Sequence, residues 1–252
     1  MIIKNETLFN NLLRDSEQTF KGWDFSYLNQ SSRMVEFPLS WNYTIEVLRE
    51  LTESKSLLDM GTGGGEFLST LPLPKYTCAT EGYPPNVQIA KDRLEPLGVH
   101  VYQIEDDNRL PFDDHSFDFI INRHEAFSSK ELKRILLPNG YFITQQVGGK
   151  NDQELNSLLE SEESIYASWN LDEAINKLQD EHFTILKQKE DITKTRFYDI
   201  GAIIYYLKAI PWQIPDFSIA KYRNHLIKIH NMIKETGYLD ITCHRFFIIA
   251  KK

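Results

Sequence analysis

The chain has 252 residues, 41% of them hydrophobic and 25% charged, with 36 acidic side chains against 28 basic ones for a formal net charge of −8. Those proportions exclude a disordered, collagen-like or membrane-spanning chain, and the length suffices for one full α/β domain with an elaboration. The acidic balance and the lack of any basic stripe argue against a nucleic-acid partner.

Two cysteines, Cys78 and Cys243, are too few for a disulfide framework or a zinc cluster and suit a reducing cytoplasm. The N-terminal MIIKNETLFNNLL has no long apolar core before a small-residue cleavage site, so the sequence predicts no secretory signal and a cytoplasmic location. The longest apolar run, Ala202 to Leu207, is far below the ~20 residues of a spanning helix, so no membrane association is expected.

In chain order, Ser56–Met60 is a short apolar strand ending in glycines, with a helix expected directly after them. Tyr76–Glu81 is a second strand, followed by a turn at Tyr83-Pro84-Pro85 and a helix over Asn86–Leu94. Val99–Ile104 and Phe117–Asn122 are further strands; a helix over Lys130–Leu136 leads through Pro138-Asn139-Gly140 into a strand at Tyr141–Val147. This alternation predicts parallel pairing with right-handed crossovers, hence a doubly wound sheet. Beyond Gly149 the pattern changes: helices over Asn151–Glu160 and Leu171–Glu181, a strand over Phe183–Ile192, a buried helix over Ile200–Ala209, an amphipathic helix over Tyr222–Thr236 and a terminal strand over Ile241–Ala250. The two late strands are expected to finish the sheet as an antiparallel pair. The organisation expected is a single domain: a helical N-terminal cap segment over 1–40, a ligand-binding core over 41–150, and over 151–252 the completion of the sheet with a helical insertion.

The most specific signal is Asp59-Met60-Gly61-Thr62-Gly63-Gly64-Gly65-Glu66. Glycine is required where backbone takes positive φ or must touch a ligand. A phosphate-cradling loop of the Gly-Lys-Ser/Thr kind needs a lysine, and none is present. A dinucleotide fingerprint starting at Gly61 would place its third glycine at Glu66, an anion facing a pyrophosphate. A ligand without phosphates fits better, and Asp59 suits a cationic amino group.

Asp-x-Gly-x-Gly-x-Gly resembles motif I of the class I S-adenosylmethionine-dependent methyltransferases. The span from about 40 to 150 is similar to the small-molecule branch known as the type 11 methyltransferase domain. The resemblance implies a Rossmann-like, mostly parallel sheet with an antiparallel C-terminal strand, S-adenosylmethionine as cofactor, S-adenosylhomocysteine as product, and no metal. It assigns Asp59 and the glycines Gly61, Gly63 and Gly65 to the cofactor, Glu81 to the ribose hydroxyls, and Tyr83 to the adenine face. Asp106-Asp107-Asn108-Arg109-Leu110-Pro111-Phe112 with Ser116-Phe117-Asp118 resembles the family's Asp-Ala-x-x-Leu-Pro-Phe…Ser-Phe-Asp segment, assigning Asp106 to the adenine amino group. Asp107 stands where alanine is usual, and the resemblance assigns it to the cofactor too, its backbone N–H meeting the adenine ring. Leu136-Leu137-Pro138-Asn139-Gly140 resembles the Leu-x-Pro-Gly-Gly turn.

Ligands of open α/β sheets bind beyond the carboxyl ends of the strands. There the fourth strand ends in Asn122-Arg123-His124-Glu125, with Asn122 a cofactor contact and the next three facing the acceptor. His124 is the candidate catalytic base, Arg123 suits a carboxylate or phosphate, and Glu125 orients either; a plain helix start with Glu125 in its first turn is the other reading. Gln145, or Gln146 beside it, lines the same pocket. Trp23-Asp24-Phe25, Trp41-Asn42-Tyr43 and Pro211-Trp212 are either a lid over the cofactor or packing. His225 and His230 are spaced wrongly for a metal pair and are expected at the surface, and Asp113-Asp114-His115 reads as a solvated turn. The activity expected is methyl transfer to a small-molecule acceptor, with an RNA or protein methyltransferase, or a non-catalytic cofactor-binding module, as alternatives. Lys221, Arg223, Lys228 and Lys234 are the residues an RNA-binding face would use, but a solvated helix face is the favoured reading of them.

Overall fold

The computed structural model describes residues 2–20 and 24–252. Its strands are β1 (Met34–Glu36), β2 (Ser56–Met60), β3 (Tyr76–Glu81), β4 (His100–Gln103), β5 (Phe117–Arg123), β6 (Leu136–Val147), β7 (Thr184–Phe197) and β8 (Leu239–Lys251). They form one sheet in the order β1-β7-β8-β6-β5-β2-β3-β4. β4, β3, β2, β5 and β6 run parallel, whereas β8 is antiparallel to β6 and to β7, and β1 is antiparallel to β7. This is the Rossmann-like sheet expected, with β1 added as an edge strand.

The helices are α1 (Ile2–Leu13), α2 (Ser26–Asn29), α3 (Tyr43–Leu51), α4 (Pro84–Leu94), α5 (Ser129–Ile135), α6 (Gln153–Leu159), α7 (Leu171–Asp180), α8 (Ile200–Ala209) and α9 (Ile219–Thr236). Several start where a short polar side chain satisfies an orphan N–H: Asn42 accepts from Ile45 N at 3.1 Å, Asn170 from Glu173 N at 3.0 Å and Asp199 from Ala202 N at 2.9 Å. Asp199 also takes both arms of Arg33, at 2.7 and 2.5 Å, tying the N-terminal segment to α8.

Alternation along the strands splits the core by sheet face. Leu57, Ala79, Phe119, Ile121, Ile143 and Phe247 pack on the side of α3 and α4, and Leu58, Cys78, Ile120, Phe142, Phe246 and Ile248 on the side of α5 and α7. A third cluster joins Phe9, Leu28 and Phe197 to the inner faces of α8 and α9. These two helices lie between the paired ends of β7 and β8, where Phe197 faces Leu239. His230 belongs to this layer: it is buried with its ring edge-on to Phe9 at 5.6 Å, which corrects the surface position expected for it.

One expected element is absent. The glycines are followed by a single 3₁₀ turn, Leu68–Thr70, before Leu71-Pro72-Leu73-Pro74 carries the chain into β3. Two prolines and a run of residues 61–75 leave no room for an α-helix and its return.

Candidate functional site

β2, β3 and β5 end side by side, so Asp59, Glu81 and Arg123 project on one sheet face around residues 61–65. Gly61, Gly63 and Gly65 all have positive φ, at 67°, 63° and 79°. At Gly61 the missing side chain matters most, because a Cβ there would lie 2.4 Å from Glu125 Cγ. Glu66, the residue that argued against a pyrophosphate, is paired with Arg93 of α4, whose guanidinium also donates to the Gly64 carbonyl. α4 thus braces the loop that lacks its own helix. Arg93→Ala is expected to weaken S-adenosylhomocysteine binding about 3–10-fold with little change in melting temperature, since the ion pair itself is half-exposed; calorimetry and a thermal melt check both.

Four carboxyl groups converge on this loop. Asp59 is almost fully buried and is pushed up to about 7, by burial first and by the Glu81 charge. Glu81 is raised by burial, against the pull of the backbone N–H groups it receives, among them Tyr83 N at 2.7 Å. Asp107 is raised to about 6 by burial and by the charges of Glu125 and Asp106. Glu125 is raised by burial, with Glu81 adding to it.

The two aspartates of the Asp106-Asp107 pair have opposite surroundings. Asp106 is exposed, and its Oδ1 accepts from Asn108 N at 2.9 Å and Nδ2 at 2.7 Å, which holds it below the usual carboxylate range. Asp107 turns inward, and its Oδ1 is buried with no hydrogen-bond partner among the described residues. Buried polar atoms are normally paired, so this oxygen points to a missing ligand donor. An orphaned acidic oxygen awaiting a donor, beside three further raised carboxyl groups, fits a cofactor that carries amino groups. Tyr83, at the start of α4, is 63% exposed and leaves its ring face free for stacking.

At the end of β5 the side chains divide by face. Asn122 is fully buried: its Oδ1 accepts from Thr144 at 2.8 Å and from Gln146 at 2.7 Å, and its Nδ2 donates to Ala126 O at 3.3 Å. That corrects its expected place as a cofactor contact, because its side chain is spent on bracing the turn. Gln146 is spent there too, donating to Glu125 O at 2.8 Å. Arg123 lies over the rings of Tyr43 and Phe67, 5.7 and 5.8 Å from their centroids. His124 takes a left-handed backbone, φ 65°, which turns the chain and brings Glu125 back over Gly61. Gln145 accepts from Trp41 Nε1 at 2.8 Å and donates to His124 Nε2 at 3.0 Å.

Sequence reasoning missed a second polar group beside these residues. Arg245, in mid-β8, is 7% exposed; it donates to Asn151 Oδ1, to His244 O at 3.0 Å and to Glu36 Oε1 at 3.2 Å. Asp152, also buried, accepts from Tyr206 OH at 2.9 Å and Asn151 Nδ2 at 2.7 Å, and burial raises it to about 7. An arginine inside the apolar run Ile241–Ala250 was the available signal, since a charge on a buried strand needs a reason.

Of the aromatic residues considered for a lid, Trp41 and Tyr43 are buried and packed against Phe247, Phe25 packs on Phe20 and Tyr206, and Trp212 is 43% exposed. Trp23 lies outside the described residues. Asp113-Asp114-His115 forms an exposed turn, and among the described residues no group of three or more His, Cys, Asp or Glu is placed to hold a metal. No helix among them is long and apolar enough to cross a membrane.

Residues 58–144 match the family model for a methyltransferase domain. No curated protein matches the chain. Among solved structures, a Bacillus halodurans protein provisionally assigned as a methyltransferase is 16% identical, with 83% of this chain and 98% of that one covered and a TM-score of 0.60. A Deinococcus radiodurans protein of unknown function is 12% identical over 90% of this chain and 99% of that one, with a TM-score of 0.60. The YcgJ protein of Bacillus subtilis is 18% identical over 83% and 97%, with a TM-score of 0.57. At these identities the likeness is one of fold.

Proposed function

We propose, from the match of residues 58–144 to the methyltransferase-domain family model, that the chain is a class I S-adenosylmethionine-dependent methyltransferase that delivers the methyl group to a small-molecule acceptor in the cytoplasm. The observation that carries the reading is the convergence of Asp59, Glu81, Asp107 and Glu125 on the glycine loop at the carboxyl ends of the parallel strands. The bound cofactor supplies a methyl carbon already activated by its sulfonium. The protein's part is therefore mainly to hold and orient, a contribution that reaches ~7–11 kcal/mol in well-aligned systems.

In this assignment Gly61, Gly63 and Gly65 let the backbone approach the cofactor, and Asp59 faces its amino group. Glu81 accepts the ribose hydroxyls and Tyr83 covers the adenine. Asp107, the inward member of the pair, takes the adenine amino group in place of Asp106. Arg123, His124, Glu125 and Gln145 form the wall on the acceptor side. Buried Arg245 acts on His124 and buried Asp152 acts in turn on Arg245, so the wall continues into buried polar groups, which favours a small acceptor over a polymer. The net charge of −8 supports the same choice. On α9, Lys221 is already paired with Asp216, and Arg223 lies over Phe9 at 5.3 Å.

Calorimetry with S-adenosylhomocysteine tests the cofactor site. Glu81→Ala is expected to bind at least about 30-fold more weakly than wild type, because two charged hydrogen bonds of ~1.5–3 kcal/mol each are lost; equal affinities would refute the site. A screen of metabolites with methyl-labelled cofactor then tests the acceptor class, and salt-dependent RNA binding with RNA methylation would overturn the small-molecule reading.

A further inference from the structure

We propose that Trp41 and Gln145 are positioning residues that hold His124 as a neutral ring with its proton on Nδ1, so that the acceptor meets a hydrogen-bond donor at this ring and not a base. The inference rests on the reading of this pocket as the acceptor side of the methyl-transfer site. It follows from a chain of donors whose direction has no freedom. The indole N–H of Trp41 can only donate, and it lies 2.8 Å from Gln145 Oε1. That fixes the amide, so the group facing His124 is the NH₂, which also can only donate, 3.0 Å from Nε2. Nε2 must then carry a lone pair, and in a neutral imidazole the proton sits on Nδ1.

The surroundings hold the ring in that state. Trp41 is buried and Gln145 is 4% exposed, so neither exchanges its partner for water. The backbone repeats the connection, His124 N donating to Gln145 O at 2.8 Å. The charged groups facing the ring are Arg245 of β8 and Arg123 beside it, and burial together with these two guanidinium groups keeps His124 well below the usual imidazole range. Nδ1 has no partner among the described residues, so its N–H is the one polar atom of the ring left for a ligand. A ring held this way does not collect the acceptor's proton at Nε2. The acceptor class that fits has a nucleophilic atom with a lone pair already available near neutral pH, such as a carboxylate or an acidic phenol or enol oxygen, and it takes a hydrogen bond from Nδ1–H.

Long-range ¹H–¹⁵N spectra of the full chain saturated with S-adenosylhomocysteine at pH 7 read the ring directly, with His124 identified by its loss in His124→Asn. The expected wild-type result is a protonated Nδ1 and a lone-pair Nε2. In Gln145→Glu the group facing Nε2 can only accept, so the proton is expected to move to Nε2; in Trp41→Phe the amide is released and the single tautomer is expected to become a mixture. A wild-type ring with the proton on Nε2, or with both nitrogens protonated, overturns the proposal without any variant, as does a folded Gln145→Glu that keeps its proton on Nδ1. If the cofactor product leaves the amide signals of Gly61, Gly63 and Gly65 unmoved, the cofactor reading itself fails, and the acceptor interpretation fails with it.

Discussion

Gly61→Ala is expected to lose at least about 100-fold in affinity for S-adenosylhomocysteine while the protein stays folded. The residue combines two demands that a side chain cannot meet together. Its φ of 67° lies in the left-handed region, where a Cβ costs roughly 1–2 kcal/mol. The same Cβ would sit 2.4 Å from Cγ and 2.5 Å from Cβ of Glu125, so relief requires the Arg123–Ala126 turn to move, not merely a side-chain tip. Gly98 supplies the control. Its φ is 83°, but a Cβ there meets nothing within 4 Å. Gly98→Ala should therefore show the backbone strain alone, lowering the melting temperature by a few degrees with unchanged binding. Calorimetry and thermal melts on both variants separate the two effects. Binding by Gly61→Ala within threefold of wild type would show that the loop and the Glu125 turn do not act on the cofactor together.

That pairing of Gly61 with Glu125 shows where the sequence could be read and where it could not. The strands β2 and β3 were legible to the residue, because short apolar runs bounded by glycine, proline and charge leave little choice of period. The glycine loop was legible as a ligand site because three alternating glycines have few other uses. The helix expected after it was not, since the loop pattern is the same whether a helix or a 3₁₀ turn follows; only the prolines at 72 and 74 argued against it. The choice between Asp106 and Asp107 depends on which way a turn rotates. Asn108 decides it by offering Asp106 two donors, a contact that spacing does not announce. The link from Trp41 through Gln145 to His124 spans residues more than a hundred positions apart, and only the sheet register brings them together. Arg245 alone carried a visible mark, a charge in an apolar strand, without any indication of its partners in Glu36, Asn151 and Asp152.

Affinity for S-adenosylmethionine is expected to rise at least about tenfold between pH 5.5 and 8, more steeply than affinity for S-adenosylhomocysteine. Asp59 titrates near 7 and Asp107 near 6, and Glu81 and Glu125 are raised as well, in each case chiefly by burial. At low pH part of this cluster is protonated and offers a cation little. As pH rises through these values the charges appear, and a ligand with a positive sulfonium and a positive amino group gains both interactions, whereas the neutral thioether gains one. Binding in the middle of the range must release protons, measurable as a calorimetric enthalpy that changes with the buffer's ionisation enthalpy. The free protein behaves in the opposite sense. Asp59, with a folded-state value raised from 3.8 to about 7, contributes stability that is fully present below about 4 and is lost as pH rises through about 7; Asp152 adds the same trend away from the loop. The unliganded melting temperature should accordingly fall over that window, and saturating cofactor should offset the fall increasingly toward high pH, since ligand stabilisation grows as the dissociation constant drops. Asp59→Asn is expected to remove the step in affinity near pH 7 and leave the one near 6 that Asp107 contributes. Affinities for both ligands that stay flat from pH 5.5 to 8 would show that Asp59 does not face the cofactor's amino group and that the charge of the cluster does not act on its sulfonium.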